Sequence, residues 1–265
     1  MNLADRVVLI TGASKGIGEA LARAYAAEGA RVVLAARSAD LLLKVAASLP
    51  PGRAMPVRAD ITDRLQIIDL VDRAIQRFGH IDILVNNAGV GMFSTLSDMD
   101  AVHFQQLFAL NVYAPVYLVQ AVLPLMKYRR EGQIVNIASV VGHVALPGMG
   151  AYSASKFALR AFTDTLRLEL KPFGIHVMGV YPGRIRTLFS KNAFKSAAPS
   201  PQFQSQRRGI SAERCARAIV KGSLKDRREV VVPWPMHAFI GFYRWFPQLA
   251  DRLIARLFQE RSEPR

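Results

Sequence analysis

Short apolar runs alternate with longer amphipathic stretches along this chain. Residues 6–10, 31–35, 54–58, 81–85, 133–137, 176–180 and 229–232 are rich in Val, Ile and Leu and read as strands. Several are apolar almost without a break, the pattern of strands covered by helices on both faces of a parallel sheet. Between them, residues 18–28, 63–78, 98–130, 151–172 and 211–221 carry apolar positions spaced by three and four, which predicts helices. The stretch from residue 98 is long enough to bend near 111–115, where Pro115 interrupts its hydrogen bonding. Strands alternating with helices predict an α/β fold, a doubly wound parallel sheet in a three-layer α/β/α single domain.

A chain of 265 residues, 51% hydrophobic and 21% charged, has the composition of one globular core. Its single cysteine, Cys215, excludes an internal disulfide and reads as a small buried apolar residue. The five histidines form no metal-ligand motif, so no metal is expected. The N-terminus enters a strand without a secretion signal, and no uninterrupted apolar run approaches membrane-spanning length, so the default expectation is cytoplasmic. The formal net charge of +15 is scattered, with no aromatic–basic interleaving, so nucleic acid is not expected as a partner.

Candidate chemistry begins at Thr11-Gly12-Ala13-Ser14-Lys15-Gly16-Ile17-Gly18, between the first strand and first helix. Gly12, Gly16 and Gly18 allow a tight turn and close approach of backbone to a pyrophosphate at a helix N-terminus. A site for unphosphorylated NAD usually ends its second strand in an acid, but here Ala35-Ala36-Arg37-Ser38 follows. Arg37 and Lys15 are suited to a 2′-phosphate, with Ser14 donating its hydroxyl, which predicts NADP(H). Asp60 is a candidate acceptor for the adenine amino group, whereas Asp63 reads as a helix cap.

Tyr152 and Lys156 stand four apart and share a helix face, and Ser139 ends a strand. Together they supply a proton carrier, a fixed cation and a hydroxyl donor. Reducing a ketone by hydride places negative charge on its oxygen, which needs a proton and aimed donors. A nearby ammonium and an oxidised nicotinamide would favour the phenolate of Tyr152, whose ordinary pKa of about 10 is high for a base.

With Asn86-Asn87-Ala88-Gly89, Asn111 and Pro182-Gly183…Thr187 added, the chain resembles the short-chain dehydrogenase/reductase family over nearly its whole length. The resemblance implies a Rossmann-like fold and an NADP(H)-dependent exchange of hydride with a secondary alcohol or ketone. It implies a catalytic tetrad of Asn111, Ser139, Tyr152 and Lys156. Ser139 would hold the substrate oxygen and Tyr152 would pass the proton. Lys156 would bind nicotinamide ribose, and Asn111 would position water in a relay. Asn87, Ala88 and Gly89 would border the adenosine side, with Asn86 supporting the sheet. Pro182, Gly183, Ile185 and Thr187 would cover the nicotinamide. A homodimer or homotetramer is the implied assembly.

Residues 1–232 are expected to form the catalytic domain, with a substrate loop at about 184–210 and a lid within it. An apolar and basic extension, 233–265, would pack on the same domain. Met92, Phe93, Val141, His143, Val144, Leu146, Met149, Tyr181, Leu188 and Phe189 are candidate walls of an apolar substrate pocket. Arg184 and Arg186 keep an acidic substrate open. From Trp234 onward the extension is a candidate lid, oligomer contact or peripheral membrane contact, at the inner face of a membrane. Competing readings are a 3-oxoacyl-carrier-protein-type reductase, a dehydratase or epimerase relative, and a non-catalytic dinucleotide-binding regulatory protein.

Overall fold

In the computed structural model, which describes residues 2–195 and 209–259, seven strands form one parallel sheet. They are β1 (Val7–Thr11), β2 (Arg31–Ala36), β3 (Ala54–Arg58), β4 (Ile83–Asn86), β5 (Gly132–Ile137), β6 (Ile175–Pro182) and β7 (Glu229–Val232). Their order across the sheet is β7-β6-β5-β4-β1-β2-β3, all neighbours parallel. Chain direction across the sheet therefore reverses between β1 and β4. A crevice opens there, at the carboxyl ends of the strands.

Alternation within each strand builds the two helical layers. Val8, Ile10, Val32, Leu34, Val85 and Val180 meet α1 (Gly16–Ala27), α2 (Ala39–Ala47) and α7 (Ala212–Leu224) on one face. Val7, Leu9, Val33, Leu84, Ile134 and Val177 meet α3 (Arg64–Phe78) and α5 (Ala114–Arg129) on the other. Each such buried aliphatic side chain contributes about 1.5–3 kcal/mol. Cys215 lies fully inside α7, where burial pushes its thiol up to about 12, an inert packing residue. Asp63 caps α3 as expected, accepting from the Leu65 N–H at 2.9 Å.

The predicted helix from residue 98 is three consecutive pieces. They are α4 (Ala101–Phe108), a π-helical turn (Ala109–Tyr113) and α5. The break falls where expected, but its form is a widened turn around Asn111. By length and composition, the 29 residues Ala101–Arg129 are apolar enough to cross a membrane, although His103, Gln105, Gln106, Asn111 and Gln120 interrupt the apolar run. Leu118, Val119, Val122 and Met126 pack on the sheet, so their apolarity serves the core. The helix α2 was not predicted at all.

At the opposite end of the sheet a buried carboxylate ties three elements together. Asp82 accepts from the Val7 N–H at 2.8 Å, from Arg6 at 3.0 Å and from Arg129 at 3.1 Å, with His80 at 3.1 Å. Burial pushes its pKa up, but the Val7 N–H and the guanidinium groups outweigh that and hold it below the usual carboxylate range. A depressed carboxyl contributes stability above its unfolded value of 3.8, lost as pH falls through the folded value. Asp82→Asn is expected to cost about 2 kcal/mol in urea unfolding at neutral pH, with the difference shrinking in acid.

Candidate active site

The loop between β1 and α1 is shaped by what its glycines omit. Gly12 has φ +64°, and a Cβ there would lie 2.9 Å from the Ala88 backbone. At Gly18 a Cβ would sit 2.1 Å from the Gly12 carbonyl oxygen, so no side chain fits. The Thr11 hydroxyl accepts from the N–H groups of Asn87 and Ala88, both at 3.1 Å. In return the Asn87 amide donates to the carbonyls of Thr11 and Gly12, at 2.9 and 3.3 Å. The loops after β1 and β4 are thus pinned to each other. No side chain caps the start of α1 at Lys15, which leaves its first N–H groups for an anion.

Ser14, Lys15, Gly16, Ile17, Arg37, Asp60, Asn87, Ala88 and Gly89 all border one cavity of about 1010 Å³. Gly18 supports it from behind. Asp60 lines it while one carboxylate oxygen accepts from the Thr62 N–H and hydroxyl, at 3.0 and 2.7 Å. Pro182, Gly183, Ile185 and Thr187 form its far lip, and the Thr187 methyl comes within 3.3 Å of where a Gly16 Cβ would stand. The loop after β6 therefore closes onto the phosphate turn.

Farther along the same cavity, α6 (Gly150–Leu170) delivers Tyr152 and Lys156 on consecutive turns beside Ser139. The Ser139 hydroxyl donates to the Pro182 carbonyl at 3.3 Å and hydrogen-bonds Tyr152. The Lys156 ammonium lies 5.9 Å from the centre of the Tyr152 ring and donates to the Ile137 carbonyl at 3.0 Å. Burial pushes Lys156 down to about 8. It pushes the Tyr152 phenol above its ordinary value, and the Ser139 hydrogen bond only partly offsets this. The expected lowering of the tyrosine is thus absent from the protein's own groups, because desolvation dominates at both partners.

Asn111 is fully buried in the π-helical turn. Its amide exchanges two 2.9 Å hydrogen bonds with the Val90 backbone and donates to the Ser155 hydroxyl at 3.1 Å. Ser155 in turn donates to the Tyr152 carbonyl at 2.7 Å. Asn111 therefore clamps the loop after β4 to the turn of α6 that carries Tyr152. Asn86 bonds Asn136 at 2.9 Å within the sheet, as expected of a supporting residue.

The apolar end of the cavity is walled by Phe93, Val141, Leu146, Met149, Leu188 and Phe189. Phe189 lies 5.6 Å from Tyr152 between ring centres, seated over Gly91, where a Cβ would come within 2.8 Å of the ring. Four expected wall residues do not line it. Met92 and Val144 are buried in packing, while Tyr181 and His143 stack edge-on at 4.3 Å away from the cavity. Burial lowers His143 to about 4, and because it does not line the cavity it is not placed to donate to a substrate. The substrate loop is described up to Lys195, where Phe194–Lys195 pairs in parallel with Met92–Phe93. Residues 196–208 of the expected lid and 260–265 of the extension lie outside the described residues.

A turn without room for side chains, a free helix N-terminus and a long cavity fit a dinucleotide. The short chain dehydrogenase family model matches residues 6–198. The chain belongs to the short-chain dehydrogenase family. Within it, dehydrogenase/reductase SDR family member 7B of Bos taurus is 34% identical over 268 residues, 97% of this chain and 82% of the relative. A short-chain dehydrogenase/reductase from Burkholderia phymatum, solved in complex with NAD, superposes with a TM-score of 0.87 at 27% identity, covering 94% and 96% of the two chains. An alcohol dehydrogenase from Thermococcus sibiricus, complexed with 5-hydroxy-NADP, gives 0.75 at 27% identity, covering 86% of this chain and 95% of that one. An NAD(P)-binding Rossmann fold and membership of a family of oxidoreductases are thereby shown. Sequence reasoning had missed Ser155 and Met236, which act through partners remote in sequence, whereas Phe239 and Phe258 of the extension read as a candidate lid do border the cavity.

Proposed function

We propose that this short-chain dehydrogenase uses NADP(H) to interconvert an apolar ketone and its secondary alcohol, with Tyr152 as the proton carrier. The observation that carries this reading is the continuity of one cavity from Lys15 and Arg37, past Tyr152, to an apolar wall. A bound nicotinamide supplies or accepts the hydride. Lys156 holds its ribose, while Thr187 and the Ile185 backbone hold its amide. Ser139 donates to the substrate oxygen, and Tyr152 Oη gives that oxygen its proton in reduction and takes it back in oxidation. The Asn111 amide holds the Tyr152 turn through Ser155 and Val90. Phe189 and its neighbours exclude water from the reacting carbon, which strengthens each polar contact.

NADP is favoured by the absence of a carboxylate between Ala35 and Ser38 and by two cations at the same mouth. Neither Lys15 nor Arg37 makes an ion pair among the described residues. Both are exposed, so a phosphate reaches them without displacing a partner. An apolar substrate is favoured by the wall of Phe93, Val141, Leu146, Met149 and Phe189 around Tyr152, although Arg184 and Arg186 line the same cavity.

A panel of ketones and secondary alcohols, followed by absorbance of the reduced cofactor, tests the reading. Turnover of apolar members with NADPH or NADP is expected, and failure of the whole panel with either cofactor would overturn it. Phe189→Ala is expected to raise KM for a small apolar ketone about tenfold by removing buried contact area. The same variant should favour bulkier ketones in kcat/KM. An unchanged size preference would remove Phe189 from the wall.

A further inference from the structure

The last two helices, α8 (Met236–Trp245) and α9 (Pro247–Gln259), present an apolar surface to solvent. The inner side of α8 is Met236, Phe239 and Ile240, which pack on Val231, Tyr181 and Leu159. At 100° per residue the opposite side is Trp234, Ala238, Gly241 and Trp245, with no charge among them. Trp234 stands just before the helix but already accepts from the His237 N–H at 3.0 Å. The two tryptophans are 76% and 78% exposed. Phe246, Leu249 and Leu253 continue the surface along α9 at 59%, 48% and 44% exposure, while Ala250 and Ile254 turn inward.

Such a helix is apolar on both sides, which water alone does not favour. Arg252 and Arg256 border the Leu249–Leu253 stripe, and Arg244 borders the α8 face. All three are exposed and make no ion pair among the described residues. Tryptophan bodies with flanking long cations suit the boundary between acyl chains and anionic head groups. The chain's net charge of +15 adds attraction in the same direction. From the inside of the same two helices, Met236, Phe239 and Phe258 line the reacting cavity.

We propose that the outer face of α8 and α9 docks on an anionic lipid bilayer. Docked this way, the apolar end of the cavity lies beside the acyl chains, and an apolar substrate enters from the bilayer. The delivery step rests on the function proposed above, whereas the docking does not.

The chain has two tryptophans, and both lie on this face, so their emission reports it directly. Mixed phosphatidylcholine–phosphatidylglycerol vesicles added to the full chain are expected to shift emission to the blue. Brominated acyl chains should then quench it. Trp234→Tyr and Trp245→Tyr, each leaving one reporter, should both keep the shift. Arg252→Gln/Arg256→Gln should weaken partitioning about tenfold or more, with dinucleotide binding unchanged as the control for folding. Unchanged emission and no co-sedimentation with these vesicles would overturn the proposal, whatever the turnover. A concentration-dependent blue shift without vesicles, accompanied by self-association, would overturn it in favour of a second copy of the chain.

Discussion

Tyr152→Phe is expected to lower kcat by about 10²–10⁴-fold, the range lost with a general acid–base group, while dinucleotide affinity stays within about twofold. The substitution keeps the ring that packs at 5.6 Å from Phe189 and removes only the oxygen. Tyr152 is nearly buried, so no bulk water replaces the missing proton at the substrate oxygen. Burial also holds the phenol above its ordinary value. In the direction of ketone reduction this is favourable, because the group arrives protonated over the whole neutral range. In the oxidation direction the same burial opposes phenolate, and Lys156 must carry a proton to counter it. That proton is present below about pH 8 in the protein alone and is lost above it. Calorimetric titration of the cofactor and single-turnover rates on one substrate separate binding from chemistry. Near-parent turnover by the variant would move the proton carrier elsewhere, with Ser139 the next hydroxyl.

Much of this site was legible because its parts are local. Valine- and isoleucine-rich runs buried on both faces identify strands, and a glycine turn between strand and helix marks a phosphate loop. The four-residue interval from Tyr152 to Lys156 fixes their shared face without any tertiary information. What escaped depends on distant partners or on breaks in periodicity. In α2, three successive leucines, Leu41-Leu42-Leu43, blur the helical spacing, and only Leu42 among them is buried. The π-helical turn at Asn111 is set by Val90 and Ser155, twenty-one and forty-four positions away. Adjacent residues of a strand point oppositely, so Tyr181 faces His143 under α8 while Pro182 borders the cavity. Residue type alone cannot distinguish these faces; the packing of the final helices decides them.

Cofactor choice carries the other large expected effect: the parent chain binds NADPH more tightly than NADH, and Lys15→Ala/Arg37→Ala removes most of the difference. Each cation gives a 2′-phosphate a charge-assisted hydrogen bond, about 1.5–3 kcal/mol when well formed. Both side chains are exposed, which screens them toward the lower end and predicts about tenfold per residue. The pair together is then expected to account for about 100-fold. NADH affinity should change little, since the adenosine ribose hydroxyls offer no charge for either cation. Arg37→Asp is expected to go further, repelling the phosphate while offering ribose an acceptor, and so to invert the preference. Isothermal titration of both reduced cofactors against all variants, at two salt concentrations, gives the differences directly. The parent preference for NADPH should shrink as salt rises. Tighter binding of NADH by the parent chain would sink the assignment of Lys15 and Arg37 to a phosphate, leaving the rest of the loop intact.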